Sequence, residues 1–405
     1  MKIILVFFND ISANSRRSVA YTSYHLARTL MAEGLLDKVI CLGLDRNVDI
    51  PNQYCEVLDN NPFLRALLKL LNTLQRRIGW IHTRRAREAV FDWYASRKVA
   101  HCSGNLIFCA RPLFLRVIRK AQTAGKLAYV QALTPHPLLN YAMTRNEEIR
   151  YGLKSYGGYS NLGRTEKITR VINESDRLLT LSQDIASFTY TSYVNLVERR
   201  KLLEMKYYFS IEHSEYSAEK DIAKENSGAE LRFFHVSFMN LIKGIPYLLE
   251  AWKKLVQTHA VSCKLILVGQ IDASLKNIIN SSYADVPNVE FAGYVSDLPA
   301  AYQQADVFIS PSVADAGPAT ILEAMSAGMP VIASHNCGFA SLISNGKEGF
   351  TYDYNDVDRL AEIMRWCIEN PVELKRMGEQ ARTRVSQFSI DKYTDEVVSL
   401  LKGNA

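Results

Sequence analysis

Two carboxylates, Asp315 and Glu323, stand eight residues apart on either side of a predicted helix start. The stretch around them predicts a strand, a turn, a helix and a second strand, over 307–310, 312–317, 319–327 and 331–333. Pro318 stands where this helix could begin, because its fixed φ suits the first helical position, and Gly328 is placed to cap the other end. The unpaired N–H groups and partial positive charge of such a helix start favour a phosphate.

A phosphate-binding helix start between two acids suits a particular kind of ligand. The amides of Ala319, Thr320 and Ile321 would face the anion. A carboxylate repels phosphate, but it accepts hydrogen bonds from sugar hydroxyls. The pattern therefore favours a nucleotide sugar, which has a diphosphate between two sugars. A plain strand–helix–strand unit with two solvated acids fits the same spacing, and the residues alone leave both interpretations open.

Length and composition predict an ordinary globular protein of two domains. The chain has 405 residues, of which 48% are hydrophobic and 22% charged. Strand and helix patterns alternate from residue 2 onwards, which favours doubly wound α/β domains. No apolar run approaches the ~20 residues that span a bilayer. Seven cysteines without a CxxC pair favour reduced thiols in the cytoplasm. No cofactor motif is present, and no histidine spacing suggests a metal.

The segment 61–98 carries the positive charge of the chain. Nine Lys or Arg stand against two acids here, a balance of +7, whereas the whole chain has +6. Leucines recur at helical spacing on one predicted face, at Leu64, Leu67, Leu68, Leu71 and Leu74. A basic amphipathic helix suits an anionic membrane surface. A helix packed on the sheet with a solvated basic face is an equal alternative. No module for nucleic acid accompanies the charge.

The residues around Glu323 resemble the C-terminal half of the retaining family 4 glycosyltransferases, which have the GT-B fold. Members carry an acid, seven other residues, and then a run that reads here Glu323-Ala324-Met325-Ser326-Ala327-Gly328-Met329-Pro330-Val331. The first acid is commonly Glu in the family and is Asp315 here. The resemblance implies two Rossmann-like domains facing a central cleft. It places an acceptor-side domain, a linker, a donor-binding domain and a helix crossing back at 1–216, 217–230, 231–385 and 386–405.

The same resemblance implies roles for residues that bind the donor. Lys243 matches a residue that contacts the donor diphosphate, and Phe238 stands where a second cation is common. An exposed lysine at a helix start is the structural alternative. Glu323 would bind the ribose, and Asp315 would meet the transferred sugar. The family also implies that Gly317, Pro318, Ala319 and Thr320 line the anion and sugar site, and that Tyr294 and Val295 meet the nucleotide base.

His136 is the candidate in the first half of the chain. It stands between two prolines, Pro135 and Pro137, after a predicted strand over 127–132. In related enzymes a histidine near this place approaches the donor sugar, often through its backbone carbonyl. A loop histidine held by two prolines is also commonly structural. Asp315, His136 and Lys243 together are the residues that the resemblance assigns to catalysis.

The resemblance implies a metal-independent, hexosyltransferase-like enzyme that retains anomeric configuration. We expect it to transfer a sugar from a nucleotide sugar to a glycan or lipid-linked acceptor in bacterial cell-surface polysaccharide or glycolipid synthesis. We expect a cytoplasmic protein, with peripheral contact to the inner face of the membrane through 61–98 left open. A non-catalytic nucleotide-sugar-binding homologue, an epimerase of the same fold and a membrane-bound scaffold are the alternatives.

Overall fold

The computed structural model describes residues 1–11, 19–45, 47–77, 83–153, 161–181, 197–207, 216, 230–258 and 262–403. Within them it has two parallel sheets, one in each half of the chain, with helices on both faces. This architecture confirms the predicted pair of Rossmann-like domains. The predicted linker falls almost wholly on residues 217–229, which lie outside the described residues, so the domain boundaries stay predictions.

The strands of the first sheet are Ile3–Val6 (β1), Leu36–Cys41 (β2), Cys55–Val57 (β3), Leu106–Cys109 (β4), Leu127–Ala132 (β5), Arg177–Leu181 (β6) and Leu202–Met205 (β7). Their spatial order is β3-β2-β1-β4-β5-β6-β7, and all neighbours are parallel. Ile4, for example, pairs with Lys38 on one side and Ile107 on the other. The strands are short apolar runs because both of their faces are covered by helices.

The described helices of this half are Val19–Ala32 (α1), Pro62–Arg77 (α2), Arg84–Val99 (α3), Leu115–Thr123 (α4), Pro137–Arg150 (α5) and Leu162–Glu174 (α6). Helices α2, α3, α4 and α6 share one hydrophobic core with the first sheet. The structure divides the leucines that were predicted to share a face of α2. Leu64 and Leu68 are buried in that core, whereas Leu67, Leu71 and Leu74 are only half-buried.

The strands of the second sheet are Leu231–Val236 (β8), Cys263–Val268 (β9), Val289–Gly293 (β10), Val307–Ser310 (β11), Val331–Ser334 (β12) and Gly349–Tyr352 (β13). Their order is β10-β9-β8-β11-β12-β13, again parallel throughout. The sequence therefore runs outward in one direction from β8 and in the other direction from β11. The place between these two strands is the switch point of the sheet.

The described helices of the second half are Ile245–Thr258 (α7), Ala273–Ser282 (α8), Leu298–Gln303 (α9), Ala319–Ser326 (α10), Val357–Glu369 (α11), Pro371–Val385 (α12) and Ile390–Gly403 (α13). The last of these, α13, leaves the second domain and packs against α1. Tyr393 on α13 lies within hydrogen-bond distance of Gln131 on β5 (3.1 Å), and Lys402 pairs with Glu33. Among the described helices, none combines the length and apolar character that crossing a bilayer requires.

Candidate functional site

The site residues predicted in the second half lie at the carboxyl ends of β8 and β11. Lys243 belongs to a 3₁₀ turn, Leu241–Lys243, that follows β8, and Asp315 lies in the loop that follows β11. These strands flank the switch point, where connections leave in opposite directions and open a crevice. Ligands of open α/β sheets bind at this place.

Lys243 and Asp315 form a salt bridge across the two loops. Both side chains are largely buried. The other carboxylate oxygen of Asp315 accepts a hydrogen bond from the Gly317 amide at 3.2 Å. The side chain of Asn240 accepts from the Lys243 amide at 3.2 Å, which caps the turn. One cation and one carboxylate, 72 residues apart in the chain, are thereby held together at the switch point.

Gly244 permits the two loops to approach so closely. Its φ of +69° lies in the left-handed region, and a Cβ built there would stand 1.8 Å from the carbonyl oxygen of Pro311. Any side chain would therefore collide with the backbone that follows β11. The glycine next to Lys243 sets the distance between the lysine loop and the aspartate loop.

The backbone of Asp315 is held by the loop after β12. Its amide donates to the carbonyl of Asn336 at 3.0 Å, and its carbonyl accepts from the Gly338 amide at 2.8 Å. Gly338 is required at this contact, because a Cβ there would stand 1.6 Å from the Ala316 carbonyl oxygen. Asp315 is therefore fixed on both sides and does not sit in a free surface loop.

Helix α10 begins at Ala319, the first residue of the span that the sequence predicts. Pro318 is its N-cap, with φ −68° and ψ 107°, and is not the first helical residue that its fixed φ would also have suited. The Ile321 amide donates to the Pro318 carbonyl at 2.9 Å, so it is already used within the first turn. The amides of Ala319 and Thr320 stand before it at the helix tip. The anion site thus rests on two amides where three were expected.

Glu323 lies on the buried side of α10 and is only 3% exposed. The hydroxyl of Tyr302, on α9, donates to its Oε2 at 2.8 Å. The carboxylate is thereby held in one orientation beneath the helix tip. Its contact with ribose hydroxyls stays a prediction, and it requires the ligand to reach a largely buried group. No motif in the sequence identifies Tyr302 as the partner of Glu323.

The ends of β8, β9 and β10 lie side by side next to this site. The Gly269 amide, after β9, donates to the Gly293 carbonyl at 2.7 Å. Tyr294 follows directly and is 79% exposed, whereas Val295 is half-buried against the core. Phe238, after β8, is also exposed. The residues predicted to meet the base therefore stand at the same sheet edge as Lys243.

His136 follows β5 and caps helix α5 in the first domain. Its Nδ1 accepts from the Leu138 amide at 3.1 Å, and its side chain is fully buried. Burial lowers the pKa of His136 to about 4, so the ring is neutral at pH 7. The structural role that the sequence left open is therefore present. A role in binding the sugar stays a prediction.

Helix α5, which His136 caps, contacts the second domain. Met143 packs on Ile242 and Val313, which belong to the lysine and aspartate loops. The sequence did not identify this contact between the domains.

A buried hydrogen-bond cluster adds to that interface. The Tyr247 hydroxyl donates to Glu147 at 2.9 Å and accepts from Arg150 at 2.6 Å. Burial raises the pKa of Glu147. These three residues come from α5 and α7, so they join the first domain to the helix that follows Lys243.

A second buried histidine, His235, lies on β8 beneath the lysine loop. Its Nδ1 is 2.8 Å from the Ile309 carbonyl oxygen, which can only accept, so this nitrogen carries the proton. Its Nε2 then accepts from the Ser237 hydroxyl at 2.7 Å. Burial lowers the pKa of His235 to about 4, and the ring is neutral.

Among the residues that the structure describes, no group of three or more His, Cys, Asp or Glu side chains is placed to hold a metal ion. The Asp356-Val357-Asp358 string precedes α11. Asp356 caps this helix by accepting from the Arg359 amide at 2.9 Å.

Residues 217–384, which cover the second domain up to the last turn of α12, match the family described as glycosyl transferases group 1. An uncharacterized glycosyltransferase of Haemophilus influenzae is 24% identical over 228 residues, 55% of this chain and 64% of that protein. The Escherichia coli UDP-Gal:alpha-D-GlcNAc-diphosphoundecaprenol alpha-1,3-galactosyltransferase is 29% identical over 160 residues, 38% of this chain and 41% of that protein. The chain thus spans less than two thirds of either relative.

A likeness to solved structures extends over the whole chain. The crystal structure of HepE from Anabaena in complex with UDP and glucose has a TM-score of 0.66 and 15% identity, with 100% of both chains covered. This likeness confirms the GT-B fold that the sequence predicts.

Proposed function

We propose that this chain is a glycosyltransferase that moves a hexose-like sugar from a nucleotide sugar to an acceptor hydroxyl with retention of configuration. The observation that carries the proposal is the Lys243–Asp315 pair at the switch point, beside the tip of α10. A cation, two helix-tip amides and a carboxylate in one crevice match the parts of a nucleotide sugar. The family match and the UDP and glucose bound by the Anabaena protein support the same class of ligand.

In this proposal the diphosphate binds to Lys243 and to the amides of Ala319 and Thr320. Its oxygens compete with Asp315 for the lysine, so donor binding loosens the salt bridge. Negative charge on the leaving diphosphate grows in the transition state, and a fixed cation with a helix tip stabilises that charge. The proposed reaction meets this charge with protein groups alone and uses no metal or other cofactor.

Asp315, once released from Lys243, accepts hydrogen bonds from the transferred sugar near Gly317. Glu323, oriented by Tyr302, accepts from the ribose hydroxyls. Tyr294 and Val295 border the base. In the proposal His136 approaches the sugar from the first domain through its backbone carbonyl, and its neutral ring adds no charge there.

The acceptor in this proposal is a glycan or a lipid-linked sugar of a bacterial cell-surface polysaccharide or glycolipid. The printed name of the Escherichia coli relative, which acts on a sugar diphosphoundecaprenol, supports the lipid-linked form. Nucleotide release that requires both donor and acceptor is expected of a transferase. A protein that binds the nucleotide sugar and never releases free nucleotide would instead be a binding homologue.

Two substitutions test the site by calorimetric titration with a panel of nucleoside diphosphates and nucleosides. Glu323→Gln removes the charge that receives the ribose hydroxyls, and affinity for both ligand types should fall about 10-fold to 100-fold, since a charged hydrogen bond contributes ~1.5–3 kcal/mol. Lys243→Ala should weaken nucleoside diphosphates and leave nucleosides unchanged.

The matched control is Glu348→Gln. Glu348 is also 3% exposed, but it lies at the opposite edge of the sheet, before β13, where it accepts from the Ser344 amide. Its substitution should leave nucleotide affinity unchanged. If Glu323→Gln and Glu348→Gln bind nucleoside diphosphates as tightly as the unaltered protein, the proposed pocket is wrong.

A further inference from the structure

Helices α2, α3 and α4 expose cations but no carboxylate on the outer side of the first domain. Their sequences contain twelve Lys or Arg and two acids, Glu88 and Asp92. Both acids are buried, being 2% and 3% exposed. The exposed cations on these helices include Arg65, Lys69, Arg85, Arg97, Arg116 and Lys120, which with the surface between them form what we call the basic face.

The two acids are used inside the domain. Glu88 accepts from Arg84 at 3.0 Å and from Arg164 of α6 at 3.2 Å. Asp92 accepts from the amides of Arg116 and Val117 at 3.2 and 3.1 Å, at the start of α4. Their negative charge therefore ties α3 to its neighbours and is screened from the surface by protein.

Large apolar side chains border the same face. Phe63 on α2 is 74% exposed and Leu70, seven residues further, is 56% exposed. At 100° per residue the two lie on one stripe of the helix, separate from the buried stripe of Leu64 and Leu68. The domain core does not bury the stripe of Phe63 and Leu70, because α2 already packs on that core through the stripe of Leu64 and Leu68.

An aromatic residue stands among the cations on α3. Trp93 is 38% exposed, and the Arg97 guanidinium lies 4.5 Å from the centre of its ring. A tryptophan with a polar edge suits the boundary between lipid and water.

We propose that the basic face docks on the surface of an anionic lipid bilayer, with Phe63 and Leu70 entering the headgroup region. Glu56 and Glu174, from neighbouring elements, pair with Lys98 and Arg119, whereas the helices themselves expose no carboxylate. The excess of cations on the basic face matches a layer of anionic headgroups. Exposed leucine and phenylalanine side chains match the acyl boundary beneath it, whereas a nucleic acid offers leucine no comparable contact. The inference concerns where the protein is held. It is independent of the proposed transfer, because it is tested without donor or acceptor.

The test is co-sedimentation with sucrose-loaded vesicles, either pure phosphatidylcholine or phosphatidylcholine with 40 mol% phosphatidylglycerol (roughly the range in which surface charge dominates). We expect binding to the anionic vesicles and a fall on raising the salt concentration. Arg65→Ser with Lys69→Ser should lower the partition coefficient about 30-fold, since each cation near the surface contributes about a factor of five. Phe63→Ser with Leu70→Ser should also lower the partition coefficient on the order of 30-fold, before and after the salt concentration is raised.

Two control variants come from the second domain. Val372 is 80% exposed, and Arg365 and Arg384 are exposed cations there. Val372→Ser and the pair Arg365→Ser with Arg384→Ser should leave binding within about twofold of the unaltered protein, because these residues lie in the second domain and outside the basic face. All these positions are exposed, and near-ultraviolet circular dichroism checks that each variant is folded.

Three results would overturn the proposal. The first is equal binding to neutral and anionic vesicles, or none to either. The second is unchanged binding of the Phe63 and Leu70 variant. The third is a short RNA duplex that displaces the protein from the vesicles and binds it with the same dependence on Arg65 and Lys69, which would assign the face to nucleic acid. In each case the nucleotide titrations decide the transferase proposal separately.

Discussion

The substitution Gly244→Ala tests whether the loops that carry Lys243 and Asp315 approach each other as closely as the structure shows. A control glycine with nearly the same φ gives the part of the effect that is due to the left-handed conformation alone. The added Cβ would stand 1.8 Å from the Pro311 carbonyl oxygen and 2.8 Å from its carbon. Real contacts of this kind do not fall below about 3 Å, so backbone on one of the two loops has to move by more than an ångström. Since Gly244 follows Lys243 directly, the movement should take the lysine away from Asp315.

The magnitude has two parts. A left-handed conformation destabilises an L-residue by roughly 1–2 kcal/mol. Forcing apart two packed backbones adds about 1–3 kcal/mol. We therefore expect Gly244→Ala to lower the free energy of unfolding by about 3 kcal/mol. Affinity for nucleoside diphosphates should fall at least about 10-fold, since losing one charged contact to phosphate removes ~1.5–3 kcal/mol.

Gly125→Ala is the matched control. Gly125 has nearly the same φ, +70°, but no atom lies within 4 Å of the Cβ that would be added. Gly125→Ala should lower the free energy of unfolding only by the roughly 1–2 kcal/mol that the left-handed conformation costs an L-residue, and nucleotide affinity should be unchanged. Urea unfolding and calorimetric titration of both variants give the comparison. If the two alanine variants lose equal stability, the close approach of the loops after β8 and β11 is refuted.

Two further predictions concern the buried polar groups. Tyr247→Phe removes the hydroxyl shared by Glu147 and Arg150, and urea unfolding should show a loss of about 1–3 kcal/mol because a buried carboxylate loses a partner; an unchanged midpoint would contradict this. His136 and His235 have folded pKa values of about 4, below the ~6.5 of the unfolded chain, so the unfolded state binds more protons as pH falls. The free energy of unfolding should therefore be highest above pH 6.5 and should decrease by about 1.4 kcal/mol per histidine at pH 5.5. His136→Asn, which keeps a capping group, should remove one of these two contributions. A free energy of unfolding that stays constant between pH 7 and 5.5 would refute the argument.

The strands were the most predictable part of the fold. Residues 127–132 and 307–310 were predicted as strands and are β5 and β11 with the same ends. Each is a short apolar run between polar or turn-forming residues, and burial on both faces leaves little choice of boundary. Helix starts were less predictable. Pro318 fits both the N-cap and the first helical position by its φ, and only its ψ of 107° separates them.

The candidate site was predictable where loops follow strands and unpredictable where side chains meet across elements. Lys243 and Asp315 follow the two central strands, so parallel topology alone brings their loops to one edge. Asn240 has the spacing of a cap three residues before Lys243 and could have been identified. Tyr302 reaches Glu323 from another helix, 21 residues earlier, and no local pattern encodes that contact.

On helix α2 the sequence did not predict which of the apolar side chains are buried. The periodicity of leucine predicted one apolar face, but a helix resting on a sheet buries only a narrow arc. Leu64 and Leu68 fall within that arc, whereas Phe63 and Leu70 lie outside it. The width of the contact depends on the neighbouring helix and sheet, which the sequence of α2 does not contain.

Helix α13 has a consequence for how the protein is made. It supplies Tyr393 and Lys402 to the first domain, yet it follows the whole second domain in the chain and leaves the ribosome after it. Until then the nascent first domain exposes the apolar side of α1 that α13 will cover. Its folding during synthesis therefore stays incomplete while the whole second domain is translated, and a chain stopped before residue 390 would leave both domains exposed to aggregation.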